Sequence, residues 1–183
     1  IKEMDFKLFN HSFILRMSIN AILKSNPNAE IILLTAENFG KKFKDMPITL
    51  MIPDVDDSRP MYYRVKTYNT LIQKNLVNGT VVFLDSDLLV LKSMSGLPNK
   101  LDFSVAVTSR YAPNLMPVNE GLIIVDTNQS LTQEFFAHYM GAYEWIRKDK
   151  TIQEITGVDL MLWRGGQLSL NAICAGIKGS NYL

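Results

Sequence analysis

Apolar residues recur along this chain in two rhythms, and each rhythm predicts a kind of element. Leu15, Ile19 and Ile22 fall at helical spacing, which predicts a helix over 12–25, capped by Ser12 and stopped by Asn26-Pro27. Met61, Val65, Tyr68 and Ile72 predict a second helix over 59–75, ended before the Asn78-Gly79 turn. Leu131, Phe135, His138, Ala142 and Trp145 line one face of a third, and residues 167–175 can form a last one. The other rhythm is the short unbroken run. Residues 31–34, 48–52 and 80–84 have the form of strands buried on both faces of a sheet, and 103–107 and 121–125 also read as strands. Residues 36–44 fit a short helix, whereas 1–10 are too polar to read as a buried strand.

Strand, helix and strand alternate with short connections. The expected fold class is therefore α/β, with a mostly parallel central sheet flanked by helices. With 183 residues, 47% of them hydrophobic, one domain around one core is the expectation. Lys and Arg number 19 against 18 Asp and Glu, a formal net charge of +1, so no strong field draws the chain to nucleic acid or an anionic membrane. Cys174 stands alone, which excludes an intramolecular disulfide framework and a cysteine-rich zinc site and suits a reducing compartment. No apolar run approaches the roughly 20 residues of a membrane span, and no charged-then-apolar signal pattern opens the chain. A soluble, cytoplasmic protein is expected, with a longer precursor carrying a signal or anchor left open because the chain starts at Ile1.

Asp85-Ser86-Asp87 stands where the apolar strand Val81-Val82-Phe83-Leu84 runs out. Ligands of open α/β sheets bind beyond the carboxyl ends of strands, so two acids placed there face a crevice. Residues i and i+2 of extended chain project to the same side, which lets both carboxylates converge on one hard cation, Mg2+ or Mn2+. Such an ion keeps one or two protein carboxylates and completes its shell with water and substrate phosphates, a description that a diphosphate leaving group fits. An Asp-x-Asp triplet also arises by chance, and Asp54-Val55-Asp56 serves as an internal control. It is introduced by Pro53, joined by Asp57 and followed by polar chain, and it reads as a solvated loop. Asp85 and Asp87 lie instead between two apolar runs, the second being Leu88-Leu89-Val90-Leu91, where an unpaired carboxylate is costly to desolvate.

Residues 81–94, VVFLDSDLLVLKSM, resemble the metal-binding segment of GT-A glycosyltransferases, especially glycosyltransferase family eight and its relatives. Tyr62-Tyr63-Arg64-Val65-Lys66 is similar to that family's Tyr-x-Arg-Leu segment, Asn119-Glu120-Gly121-Leu122-Ile123-Ile124 to its Asn-Ala-Gly strand, and Gln167-x-x-x-Asn171 to its Asp-Gln-x-x-Leu-Asn element. The resemblance covers nearly the whole chain. It implies a metal-dependent enzyme that moves a sugar from a nucleoside-diphosphate sugar, by likeness a UDP-sugar and with retention, to a glycan or protein acceptor. It implies that Asp85 and Asp87 hold Mn2+ or Mg2+ and, with Ser86, the ribose side of the donor. Arg64 and Lys66 would approach the diphosphate or sugar, and Asn119, Glu120, Gly121 and Gln167 would border the reacting face. Residues 1–183 then form a single GT-A-like domain, with a nucleotide-sugar-binding part to about 91 and an acceptor-side part beyond it.

Three departures accompany the likeness. Gly166 stands where the family has the Asp before Gln, Glu120 replaces a small residue, and the late His-x-x-Gly-x-x-Lys-Pro segment is absent. The family's apolar first strand is also unclear before His11, and truncation at both ends or a distant branch would account for these last two. The carboxylate of Glu120 is expected to face the acceptor pocket and to act on an acceptor hydroxyl or on developing oxocarbenium charge. His138, on its helix's apolar stripe, is expected as a hydrogen-bonded core or boundary residue, and His11 has no partner at metal-ligand spacing. Trp145 and Trp163 can stack on a sugar but more commonly pack, and Arg164-Gly165-Gly166-Gln167 can offer backbone N–H groups to an anion. The rival readings are a nucleotidyltransferase that makes nucleotide-sugars, against which no glycine-rich basic loop after a first strand is visible, and a non-catalytic sugar-nucleotide or carbohydrate-binding module.

Overall fold

The structure, a computed structural model, describes residues 11–51, 59–97, 102–109, 117–156 and 165–175. It divides into two compact units, one of Ile1–Ile52 with Asp85–Lys100 and the other of Pro53–Leu84 with Leu101–Leu183. Each has its own apolar core.

In the first unit, helix α1 (His11–Ser25) turns Leu15 and Ile19 inward, as the helical spacing requires. Strand β1 (Ile32–Leu34) leads through α2 (Glu37–Gly40) and a 3-10 helix (Lys41–Phe43) to β2 (Thr49–Met51). The two strands pair in parallel, Ile32 opposite Thr49 and Leu34 opposite Met51. Phe43 is fully buried against Leu15 and Ile19, with Leu23, Leu33, Phe39 and Ile48 packed around them. Arg16 ties the outside of α1 to the chain after the 3-10 helix through Asp45, at 2.7 Å.

In the second unit, α3 (Pro60–Gln73) opens with proline in its first turn, where the missing N–H is harmless. It buries Val65, Tyr68 and Ile72 of the stripe its periodicity predicts, leaves Met61 half-buried and adds Leu71. Strands β3 (Thr80–Leu84), β4 (Val105–Ser109) and β5 (Val118–Asp126) form an antiparallel sheet in the order β3-β5-β4. Helices α4 (Ser130–Ile146), α5 (Lys150–Thr156) and α6 (Gly165–Cys174) follow. Phe83 of β3 lies between the rings of Tyr68 and Phe136, at centroid distances of 4.1 and 5.4 Å, which locks strand to α3 and α4.

The expected α/β class is present as helices and two small sheets. A mostly parallel sheet is not confirmed: among the described residues parallel pairing is confined to β1 and β2, and β3 and β4 each run against β5. An unbroken apolar run marks a strand buried on both faces and carries no information about its neighbour's direction. The face of α4 also differs. Thr132, Phe135, Phe136, Tyr139, Tyr143 and Ile146 are buried, while Leu131 is 54% exposed and the His138 side chain 40% exposed, near Glu134 at 3.9 Å. Two overlapping stripes at helical spacing compete on this helix, and the one carrying Phe136, Tyr139 and Tyr143 wins the core. His138 is half-buried at the edge of this face, the boundary position expected for it. Helix α5 has no counterpart in the sequence reading.

Candidate functional site

Leu84 ends β3, and the chain enters the other unit at Asp85. The Leu88 N–H donates to the Asp85 carbonyl at 3.2 Å, so Asp85-Ser86-Asp87 lies in a tight turn rather than in extended chain. Asp85 is half-buried, and Ser86 and Asp87 are exposed. Residues 88–91 form no strand here, and Leu91 is 79% exposed. Asp87 therefore escapes the desolvation that an apolar frame would impose, its carboxylate being exposed to water. What holds the segment is α1: Ser18 Oγ donates to the Leu88 carbonyl at 2.5 Å, Ser25 Oγ to that of Val90 at 3.0 Å, and the Asn26 Oδ1 accepts from the Met94 N–H at 2.7 Å. Side chains on α1 and just after it take over the backbone groups that a sheet partner would otherwise satisfy.

The donor set is of the kind a hard divalent cation takes: two carboxylate side chains on one turn, one of them open to water. Among the described residues no group of three or more His, Cys, Asp and Glu converges on a metal position.

The other candidate residues gather in the second unit around Glu120. Its strand leaves both ladders at that point. Leu84 opposite Leu122 is the last pair with β3, and the register with β4 jumps from Val107 opposite Ile123 to Thr108 opposite Asn119. The backbone of Glu120 must find partners elsewhere. Its N–H donates to Gln167 Oε1 of α6 at 2.9 Å, and its carbonyl accepts from Arg64 Nη2 of α3 at 3.1 Å. Gln167 also donates through Nε2 to the Val118 carbonyl, and Asn171, one turn on, accepts from the Val118 N–H at 3.1 Å. The amide pair on α6 therefore docks the helix to the strand in the manner of a sheet neighbour. Asn119 Oδ1 accepts from the Gly121 N–H at 2.6 Å, closing the bend from within.

The Glu120 side chain turns inward, leaving the residue 5% exposed. Oε1 accepts the Tyr139 hydroxyl at 2.8 Å and lies 3.5 Å from Arg64 Nε, and that nitrogen also donates to the Tyr68 hydroxyl at 3.1 Å. The structure thus brings together Arg64, Glu120, Asn119, Gly121 and Gln167, and adds Tyr68 and Tyr139, which the sequence reading did not select. The signal for Tyr139 was its place on the aromatic stripe of α4. Lys66 points away from this cluster; it is exposed and lies over the rings of Tyr62 and Tyr63, at 6.0 and 5.6 Å. Trp145 packs with Ile146 and Ala172. Trp163, Arg164 and Asp54-Val55-Asp56 lie outside the described residues.

Burial pushes the Tyr139 phenol well above its ordinary value, and the Glu120 carboxylate adds to the shift. The folded chain therefore holds this proton above pH ~10, where the unfolded chain releases it, and stability falls as pH rises past that point. Thermal midpoints measured from pH 9 upward should show this decline in the wild type. Tyr139→Phe should be less stable at neutral pH, through the lost hydrogen bond, and should decline less steeply above pH ~10.

No protein-family model matches the chain, and no curated protein matches it.

Proposed function

We propose that this chain is a metal-dependent glycosyltransferase that moves a sugar from a nucleoside-diphosphate sugar to a glycan or protein acceptor. The observation that carries the reading is Asp85-Ser86-Asp87, two carboxylates on a solvent-facing turn at the carboxyl end of β3. Strand ends of this kind are where α/β proteins bind ligands. Mn2+ or Mg2+ bound there supplies Lewis-acid stabilisation of the departing diphosphate. Asp85 and Asp87 would hold the ion, and Ser86 with them the ribose side of the donor. Arg64 offers a guanidinium suited to phosphate or sugar oxygens, its geometry fixed by Glu120 and Tyr68. Gln167 and Asn119 act on the shape of the β5 bend and position it.

The finer parts of the reading, a UDP-sugar donor, retention of configuration and a GT-A-like domain with a mostly parallel sheet, follow from the resemblance. The parallel β1–β2 pair and the shared direction of β3 and β4 support the last. No described helix is long and apolar enough to cross a membrane.

Incubation with a panel of nucleotide-sugars and Mn2+ tests the proposal. Release of nucleoside diphosphate, abolished by chelator, is the expected result. Pyrophosphate chemistry would replace it with a nucleotidyltransferase, and binding without turnover with a carbohydrate or sugar-nucleotide module. Calorimetry should show UDP binding at least ~10-fold tighter with Mn2+ than with chelator, because the two carboxylates repel the phosphates until a cation stands between them. Equal affinity in both conditions removes the metal bridge.

A further inference from the structure

We infer that Glu120 and Gly166 are a matched pair, in which the space left by the missing side chain on α6 houses the carboxylate that fixes Arg64. Three observations meet here. A Cβ built on Gly166 would stand 2.7 Å from both Cδ and Oε2 of Glu120, and nearer still to Oε1. Real Cβ atoms do not approach other atoms so closely, and the buried carboxylate has little room to retreat, being 5% exposed and held by Tyr139 and Arg64. Nothing in the backbone asks for glycine at this position. Gly166 lies in the first turn of α6 with no positive φ, and glycine is a poor helix former. Its presence is explained by what occupies its side-chain volume.

The first turn of a helix also carries backbone N–H groups without intrahelical acceptors and the positive end of the helix dipole. A carboxylate against that turn gains from both, which offsets part of the cost of burying it. Arg64 supplies the remaining charge. Glu120 is then a positioning residue: it acts by holding the guanidinium between its carboxylate, its own carbonyl and the Tyr68 hydroxyl. Because position 166 of α6 and position 120 of β5 face the same volume, an acid can be furnished from either side, but not from both at once. The steric pairing is independent of the sugar-transfer reading; the consequence for turnover rests on it.

The test is Gly166→Ala made in three backgrounds and read by thermal unfolding. In the wild type it should lower the midpoint by at least ~5 °C, and in Glu120→Gln, which keeps the side-chain volume, by a similar amount. In Glu120→Ala the volume is empty, so the same change should leave the midpoint unchanged or raise it, since alanine is the better helix former. Glu120→Ser serves as the small-residue background if the alanine variant does not fold. An equal loss in all backgrounds, or no loss in the wild type, overturns the pairing. The double variant Glu120→Ala/Gly166→Asp returns one acid from the helix side. It should recover at least half of the midpoint lost in Glu120→Ala, and no more recovery than Gly166→Ala provides overturns the shared carboxylate. Turnover of a UDP-sugar with Mn2+ reads the positioning role: Glu120→Gln should lower kcat at least ~10-fold with little change in KM, and the double variant should regain part of kcat. Native kcat in Glu120→Gln overturns that role. A wild type without turnover sinks the glycosyltransferase reading and the positioning role built on it, and the midpoints still decide the pairing.

Discussion

Asp87→Ala is expected to cut Mn2+-dependent sugar transfer by at least ~100-fold, the scale on which removing a single electrostatic stabiliser of developing charge acts. Its thermal midpoint should stay within ~2 °C of the wild type. Both expectations follow from the turn after β3. Asp87 is exposed, so truncating it opens no cavity and strands no buried partner. The turn itself is closed by the backbone bond between Leu88 and Asp85 and anchored through Ser18 and Ser25, none of which depends on the Asp87 side chain. Initial rates with and without Mn2+, beside calorimetry of UDP, separate the two effects. A variant that keeps full Mn2+-dependent transfer would take Asp87 out of the proposed metal site. One that loses stability in proportion to activity would make it a structural residue of the turn.

The second large effect is expected from Arg64→Met, which keeps most of the stem of the side chain and removes the guanidinium. Arg64 is 18% exposed at its side chain and Glu120 6%, so the pair is shielded from water. Removing one member of a buried ion pair leaves the other charge poorly compensated and costs about 3 kcal/mol or more, a larger figure than the intact pair contributes on balance. For a chain of this size that corresponds to a fall of roughly 6–12 °C in midpoint, measurable by calorimetry or as an earlier urea transition. Arg64→Lys should lose less stability because charge is retained. Its turnover should nevertheless fall by more than its affinity for UDP, since an ammonium cannot meet the Glu120 carboxylate, the Glu120 carbonyl and the Tyr68 hydroxyl at once. A wild-type midpoint in Arg64→Met would mean that water, rather than Arg64, compensates Glu120.

The element boundaries were largely written in local periodicity. Helices α1 and α3 and strands β1, β2 and β3 coincide with their predicted ranges to within a residue or two, because helical spacing and unbroken apolar runs are properties of neighbouring residues alone. The candidate site was legible as residue types: Arg64, Asn119, Glu120 and Gln167 do come together, and Asp85-Ser86-Asp87 does follow the end of β3. Three things were not legible. The conformation of the Asp-x-Asp segment depends on Ser18 and Ser25 of α1, the buried face of α4 on which stripe meets Phe83 and Glu120, and the pairing of β3 on a strand far along the chain.

Glu120 and Gly166 show the division most plainly. In the sequence they are two separate departures from a family's pattern, an acid in place of a small residue and a glycine in place of an acid. Each invites its own explanation. The tertiary structure places the acid's carboxylate in the volume that the glycine leaves empty, so the two are one exchange across the contact between β5 and α6. The sequence by itself determined which segments are helical or extended and which residues carry charge, since those follow from the chemistry of neighbours. Only the fold decided which charges are buried, what compensates them and where a side chain is forbidden, since burial and exclusion depend on residues that the chain brings together from a distance.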